Sequence, residues 1–248
     1  MHNETLKKLF NFLQNNRVYN KNVQNAFYKD VVLYRSTAND KIVSLLYHVA
    51  NTQSQPNIDK LAEFFQRIYL NYSRLSTFEE FVSILIGKQT IGQLRYFDLF
   101  CALKHQSGWG NKTAALFVKS VYHLHNGEYG EELKIWDDAP TKIFKDEQFY
   151  LPVDAVIEFI FKRLELPITV DFNGINNYLF KSKLYNAELM EIWDDLWFWG
   201  FITQKGGGDK RFMEWNENKY WALLHTDKDQ KTINEISNKA VKFIGILT

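Results

Sequence analysis

Two short segments carry residue types from which covalent chemistry could be built. Ser107-Gly108-Trp109-Gly110-Asn111-Lys112-Thr113 reads as a glycine-containing turn that opens an apolar helix, with Lys112 in that helix's first turn. Leu151-Pro152-Val153-Asp154 delivers a carboxylate at the start of another helix. A lysine ordinarily prefers a helix C-terminus, where the dipole favours its charge. At an N-terminus the dipole and partial burial both favour the neutral amine, the form that attacks an electrophilic carbon. A carboxylate at an N-cap is stabilised as the anion. Facing a sugar C1′, it would offset developing oxocarbenium charge or help activate the nucleophile. Each residue also has a plainer reading. Lys112 could be a solvated lysine or a simple phosphate contact, and Asp154 a structural cap.

The turn itself adds to the pattern. Leu94 to His105 reads as one helix, Gln106 to Asn111 as a tight turn, and Asn111 or Lys112 to His125 as the next helix. Gly108 and Gly110 permit conformations closed to other residues and let a ligand approach closely. The backbone N–H groups at the second helix's start then point toward an anion. A DNA phosphate fits there without any base being read. Apolar Trp109 is expected to plug between the helices and fix the turn.

The elements around these residues are predominantly helical in pattern. Leu6, Leu9, Phe10 and Leu13 follow helical spacing, as do Ile42, Leu45, Leu46 and Val49, and then Leu61, Phe64, Phe65 and Ile68. Further stripes fall at Phe78 to Leu85, Leu94 to Leu103, Ala115 to Tyr122, Val156 to Leu164 and Leu189 to Leu196. Strand-like alternation is confined to short pieces such as Pro167-Ile168-Thr169-Val170. The expected class is all-α. Aromatic residues make up 16% of the 248, too much hydrophobic payload for a disordered chain. The net charge of +1 excludes a global basic field, so any nucleic-acid footprint must be local. The single Cys101 excludes an intramolecular disulfide and a cysteine-ligated iron–sulfur or zinc site, which fits a reducing cytoplasmic compartment. The N-terminal segment lacks the apolar core of a signal peptide, and no stretch has the length of a membrane span.

Two stretches break the helical pattern. His125 to Phe149 is polar and mixed, and is expected to hold a loop or a short helix. Gln204 to Arg211 contains Gly206-Gly207-Gly208 between basic ends and reads as a mobile surface loop, a plain connector, with a phosphate-binding role as the alternative.

Gly108-Trp109-Gly110-Asn111-Lys112-Thr113-Ala114-Ala115 and Pro152-Val153-Asp154 together resemble the helix-hairpin-helix DNA glycosylase superfamily, in its lysine-bearing branch of 8-oxoguanine glycosylase/AP lyases. Phe81-Val82-Ser83-Ile84-Leu85-Ile86-Gly87-Lys88-Gln89-Thr90 is similar to the segment whose amide side chain fills the gap left by an extruded base. The similarity spans roughly residues 75 to 165 and is closest to the archaeal-type GO glycosylases. It implies a two-lobed helical fold with the active site in the cleft between lobes. Residues 76–135 would form the central bundle, and residues 1–75 with 136–248 the second lobe. It implies Lys112 as Schiff-base nucleophile, Asp154 as the assisting acid, Gln89 as the wedge, and the amides of Gly108, Gly110 and Lys112 as phosphate ligands. The partner would be double-stranded DNA with a damaged base, bound by a monomer that associates with the nucleoid. No metal or iron–sulfur cluster is required, and a monovalent cation on the hairpin carbonyls is an option in this family. The Lys112-to-Asp154 stretch is longer than the superfamily's usual spacing, so the insertion is expected to loop out.

The base pocket is the least defined part. Leu116 lies one turn beyond Lys112 and could form a wall. Asp195 and Trp199, at i,i+4 on one helix face, could supply a carboxylate for the guanine edge and a ring for stacking. Their plainer reading is core packing. The resulting expectation is a bifunctional glycosylase that removes an oxidised purine, 8-oxoguanine foremost. The alternatives are a glycosylase for another modified base, including hypermodified phage pyrimidines, a non-catalytic hairpin module that binds DNA, and an α-helical interaction protein.

Overall fold

The computed structural model of the chain describes residues 2–89, 92–127, 129–144 and 146–248. Its helices are α1 (His2–Asn15), α2 (Arg17–Tyr28), α3 (Ala38–Ala50), α4 (Ile58–Leu70), α5 (Phe78–Ile86) and α6 (Tyr96–Leu103). They continue as α7 (Asn111–Asn126), α8 (Ala155–Arg163), α9 (Phe172–Lys181), α10 (Met190–Ile202), α11 (Glu217–Ala222) and α12 (Gln230–Leu247). α2 runs on into a π-helical turn over Lys29–Leu33. Strands β1 (Gln204–Lys205) and β2 (Phe212–Met213) pair antiparallel, Gln204 opposite Met213. The molecule is therefore mostly helical, as the 3.6-residue periodicity requires. Residues 167–170 form no strand, because the amides of Ile168 and Asp171 turn back onto Leu166 O at 2.8 Å and Thr169 O at 3.0 Å. The triple-glycine segment is the tip of the β1–β2 ribbon instead of an independent loop.

Contacts group the chain into two compact units, one of residues 1–26 with 153–248 and one of residues 27–152. In the second of these, α6 packs on α7, α3 on α7 and α5 on α6. Phe81 lies at its centre, buried between Phe117 (ring centroids 6.1 Å apart) and Trp136 (5.4 Å). The unit is wider than residues 76–135 because α3 supplies part of the surface on which α7 rests and α4 backs the hairpin.

The stretch after α7 does not loop out. Leu133, Trp136, Phe149 and Leu151 are buried, and the Trp136 indole donates to Leu75 O at 2.8 Å. Asp138 accepts from the first amides of α5, Phe78 N at 2.8 Å and Glu79 N at 3.1 Å. Glu147 accepts from Phe97 N at the start of α6, 2.8 Å away. Helix starts leave N–H groups without intrahelical partners, and this segment supplies acceptors to two of them. Its composition reads as a polar insertion, yet two of its carboxylates, Asp138 and Glu147, are structural caps.

The other unit is organised around α10, which is packed by α1, α8 and α12. α10 is apolar around most of its circumference, as suits a helix covered on several sides. Gly200 on α10 meets α8 closely: a Cβ there would lie 2.5 Å from Ile160 Cδ1 and 2.8 Å from Val156 Cγ1. The absence of a side chain lets the two helices approach.

Replacing Asp138 with alanine is expected to cost about 1–2 kcal/mol of stability, the usual worth of a capping carboxylate. The neighbouring exposed Asp137→Ala should stay within about 0.5 kcal/mol of the parent. Urea unfolding of both variants checks the difference.

Candidate active site

The hairpin is held by its glycines for two different reasons. Gly108 has φ +79°, and a Cβ there would lie 2.8 Å from Leu61 Cδ2 and 3.0 Å from Leu61 N on α4. Conformation and close approach both exclude a side chain. Gly110 has an extended backbone (φ −143°, ψ −178°) that any residue adopts, and its would-be Cβ meets nothing within 4 Å. Neither conformation nor internal packing demands glycine there; what the missing side chain provides is open space before α7. Trp109 is buried between Phe64 of α4 (5.1 Å) and Phe117 of α7 (5.8 Å), so its ring partners come from α4 and α7, where the sequence points to the two helices of the hairpin.

α7, like α10 with Leu189 at its N-cap, starts without a side-chain cap. Side-chain oxygens of Thr37, Asn57, Thr77, Asp154, Asp171, Asn216 and Asp229 cap α3, α4, α5, α8, α9, α11 and α12. Gly110 offers no such oxygen to α7. Its first-turn amides stay available to an outside acceptor, and Lys112 stands among them, half-buried. Among the described residues the Lys112 ammonium has no hydrogen-bond or ion-pair partner. Leu116, one turn on, is also half-buried.

Gln89 is exposed, two residues past the left-handed Gly87 (φ +79°) that ends α5. Thr90, the last residue of that motif, lies outside the described residues. Two side chains not singled out by the sequence fix this segment. Arg67 of α4 donates to Leu85 O at 3.0 Å, to Ile84 O, and to Gln106 Oε1 at 2.8 Å. Gln106 donates to Leu85 O at 2.8 Å and Ala102 O at 2.7 Å. The end of α5 and the start of the hairpin are thereby tied to one guanidinium. The hairpin carbonyls of Gln106, Gly108 and Gly110 accept from Trp109 N, Gln53 Nε2 and Ala114 N. Each of these oxygens thus has one protein donor, that of Gly108 from outside the hairpin.

Asp154 lies at the start of α8. Its Oδ1 accepts from Val156 N at 2.9 Å and Ile157 N at 3.0 Å, and its Oδ2 accepts the indole N–H of Trp197 at 3.0 Å. Both oxygens are oriented by donors. Trp197 of α10 is 38% exposed and stacks on Phe201 (4.9 Å, 12°). The only sequence signal for it is an aromatic pair at i,i+4 within a tryptophan-rich run. The ribbon braces the same helix start: Arg211 donates to Ala155 O at 2.9 Å, and Gln204 Nε2 to Val156 O at 3.0 Å.

Asp195 and Trp199 are fully buried core residues of the same unit as Asp154. Asn20 donates to Asp195 Oδ1 at 2.7 Å. Trp199 is surrounded edge-to-face by Phe12 (5.0 Å) and Tyr19 (5.8 Å). Its indole N–H is buried with no acceptor among the described residues. Lys112, Gly108, Gly110, Leu116 and Gln89 belong to the residue 27–152 unit. Among the described residues no cluster of histidine, cysteine and carboxylate side chains is arranged to hold a metal, and no helix is long and apolar enough to cross a membrane. Comparison with known protein families, characterised proteins and solved structures finds no match.

Because Asp154 is a true N-cap, Asp154→Ala should lose about 1–2 kcal/mol of stability. Asp154→Asn keeps a capping oxygen but sets an amide N–H against the Trp197 N–H, and should lose less than about 1 kcal/mol. Thermal unfolding of the two proteins ranks them. The asparagine variant is thus the one that separates chemistry from folding.

Proposed function

We propose that the chain is a DNA glycosylase with AP lyase activity, acting on an oxidised purine, 8-oxoguanine foremost. The observation that carries this reading is the uncapped start of α7. An open glycine, free first-turn amides and an unpaired, half-buried lysine occur together there. Backbone amides would hold a phosphate of the strand, leaving Lys112 Nζ to attack the adjacent C1′. The C1′–N bond to the base breaks as the Nζ–C1′ bond forms. Loss of the amine proton and opening of the sugar ring then give the imine. Removal of a C2′ proton expels the 3′-phosphate by β-elimination. Asp154 would face the C1′ charge that develops as the base departs, with Trp197 as a positioning residue that holds its second oxygen.

In this reading Gln89 fills the space vacated by the base. Leu116 forms a wall on α7. The buried N–H of Trp199 and the Asp195 carboxylate address the base, once the Phe12 and Tyr19 rings packed on Trp199 give way. A modified pyrimidine would use the same lysine with a reshaped pocket. A non-catalytic phosphate-binding hairpin would need neither Lys112 nor Asp154.

Borohydride reduction in the presence of lesion-containing duplex should give a covalent adduct with the parent and none with Lys112→Gln. An adduct at full yield in that variant removes the assignment. Asp154→Asn should slow base release at least tenfold, with duplex affinity changed less than about threefold. Trp197→Phe should fall between the two. Turnover unchanged in Asp154→Asn removes the role of the acid.

A further inference from the structure

A cavity of about 270 Å³ opens beside Gln89, bordered by Arg67, Arg74 and Lys88 together with Asn71, Ser83 and Gln89. No carboxylate borders it among the described residues. In a chain of net charge +1, three cations around one cavity form a local concentration of positive charge.

Little cancels that charge. Every hydrogen bond of Arg67 ends on a neutral oxygen, the carbonyls of Ile84 and Leu85 and the amide of Gln106. The C-terminal end of α5 contributes about half a negative charge at those carbonyls, which offsets part of Arg67. Arg74 Nε lies 3.7 Å from Glu80 Oε1, both side chains about half exposed. Such a surface pair is weak and yields readily to a stronger anion. Lys88 is exposed and has no ion-pair partner among the described residues. Arg74 and Lys88 therefore remain available, and Arg67 contributes a fixed positive wall.

The geometry points to a phosphate-binding pocket, with Arg74 and Lys88 as its mobile ligands and Arg67 as its anchored one. A phosphodiester of nucleic acid suits it best. Guanidinium groups match phosphate oxygens, Asn71, Ser83 and Gln89 add neutral polar groups, and the cavity adjoins the proposed wedge. Only that source of phosphate rests on the glycosylase reading; the charge distribution does not. A free phosphate compound is the other source with the same chemistry.

The test uses Arg74→Gln and Lys88→Gln, alone and combined. Arg67 is left in place because it holds the end of α5. Both changed side chains are exposed, so the combined variant should unfold at the parent temperature. Its affinity for a short lesion-free duplex should fall about tenfold, and the slope of log affinity against log salt should flatten by about 1–2 between roughly 50 and 200 mM salt. Inorganic phosphate and dAMP, titrated separately into isotope-labelled parent protein, should move the Gly87 and Lys88 amide resonances. Movement by either compound with an unchanged duplex slope assigns the pocket to free phosphate compounds. An unchanged slope and no movement overturn the proposal. Loss of borohydride trapping in the parent, with the variants' duplex defect intact, would sink the glycosylase reading and leave the pocket standing. Trapping retained with neither effect would do the reverse.

Discussion

The last carbonyls of α5 set the constraint on which the candidate site in the residue 27–152 unit depends. They cannot be satisfied within the helix, and Arg67 of α4 reaches across to meet them, sharing the task with Gln106. Hydrogen bonds from a charged donor are worth roughly 1.5–3 kcal/mol each, more than a neutral contact of the same length. Six residues earlier on α4, Leu61 lies against Gly108 so closely that no side chain fits between them. One helix therefore acts as the common reference for both the Gln89 segment and the hairpin. α7 then leaves the hairpin with Trp109 wedged between Phe64 and Phe117. The position of Lys112 follows from that sequence of contacts, although the lysine makes none of them.

Polar satisfaction elsewhere explains why the start of α7 stands out. The segment after α7 carries Asp138 and Glu147 to the starts of α5 and α6; α5 also has its own Thr77 cap, and six further helices are capped by their own side chains. Glu147 is buried, and that burial raises its carboxyl above the usual range even as the Phe97 amide lowers it. A fold that places a buried carboxylate to satisfy one helix start, and leaves the first turn of α7 open, distributes its acceptors unevenly.

Local pattern was enough to read some of this and not the rest. The apolar stripes of α3, α4, α5, α7 and α8 are periodic, so their existence follows from spacing alone. Gly108 and Asp154 were legible because left-handed backbone and N-caps have strong residue preferences. Arg67, Asp138 and Trp197 act across 17 to 60 residues or between helices, and no local spacing encodes their partners. The Trp193–Trp199 run shows the ambiguity most clearly. Trp197 and Trp199 are two residues apart on one helix; one is 38% exposed on Asp154 and the other fully buried. The β1–β2 ribbon was missed because two-residue strands carry no periodic signal.

Connectivity has a temporal consequence. α1 finds its packing partners in α10 and α12, and so waits for residues made much later in synthesis. The residue 27–152 unit is continuous and can close as soon as it leaves the ribosome. During that interval Leu6, Leu9, Phe10 and Leu13, all buried in the finished unit, have no native surface to cover them. The nascent chain thus carries an uncovered amphipathic helix, α1, while residues 27–152 fold. Its safe maturation depends on the speed of the late helices, or on something that holds the first one until they arrive.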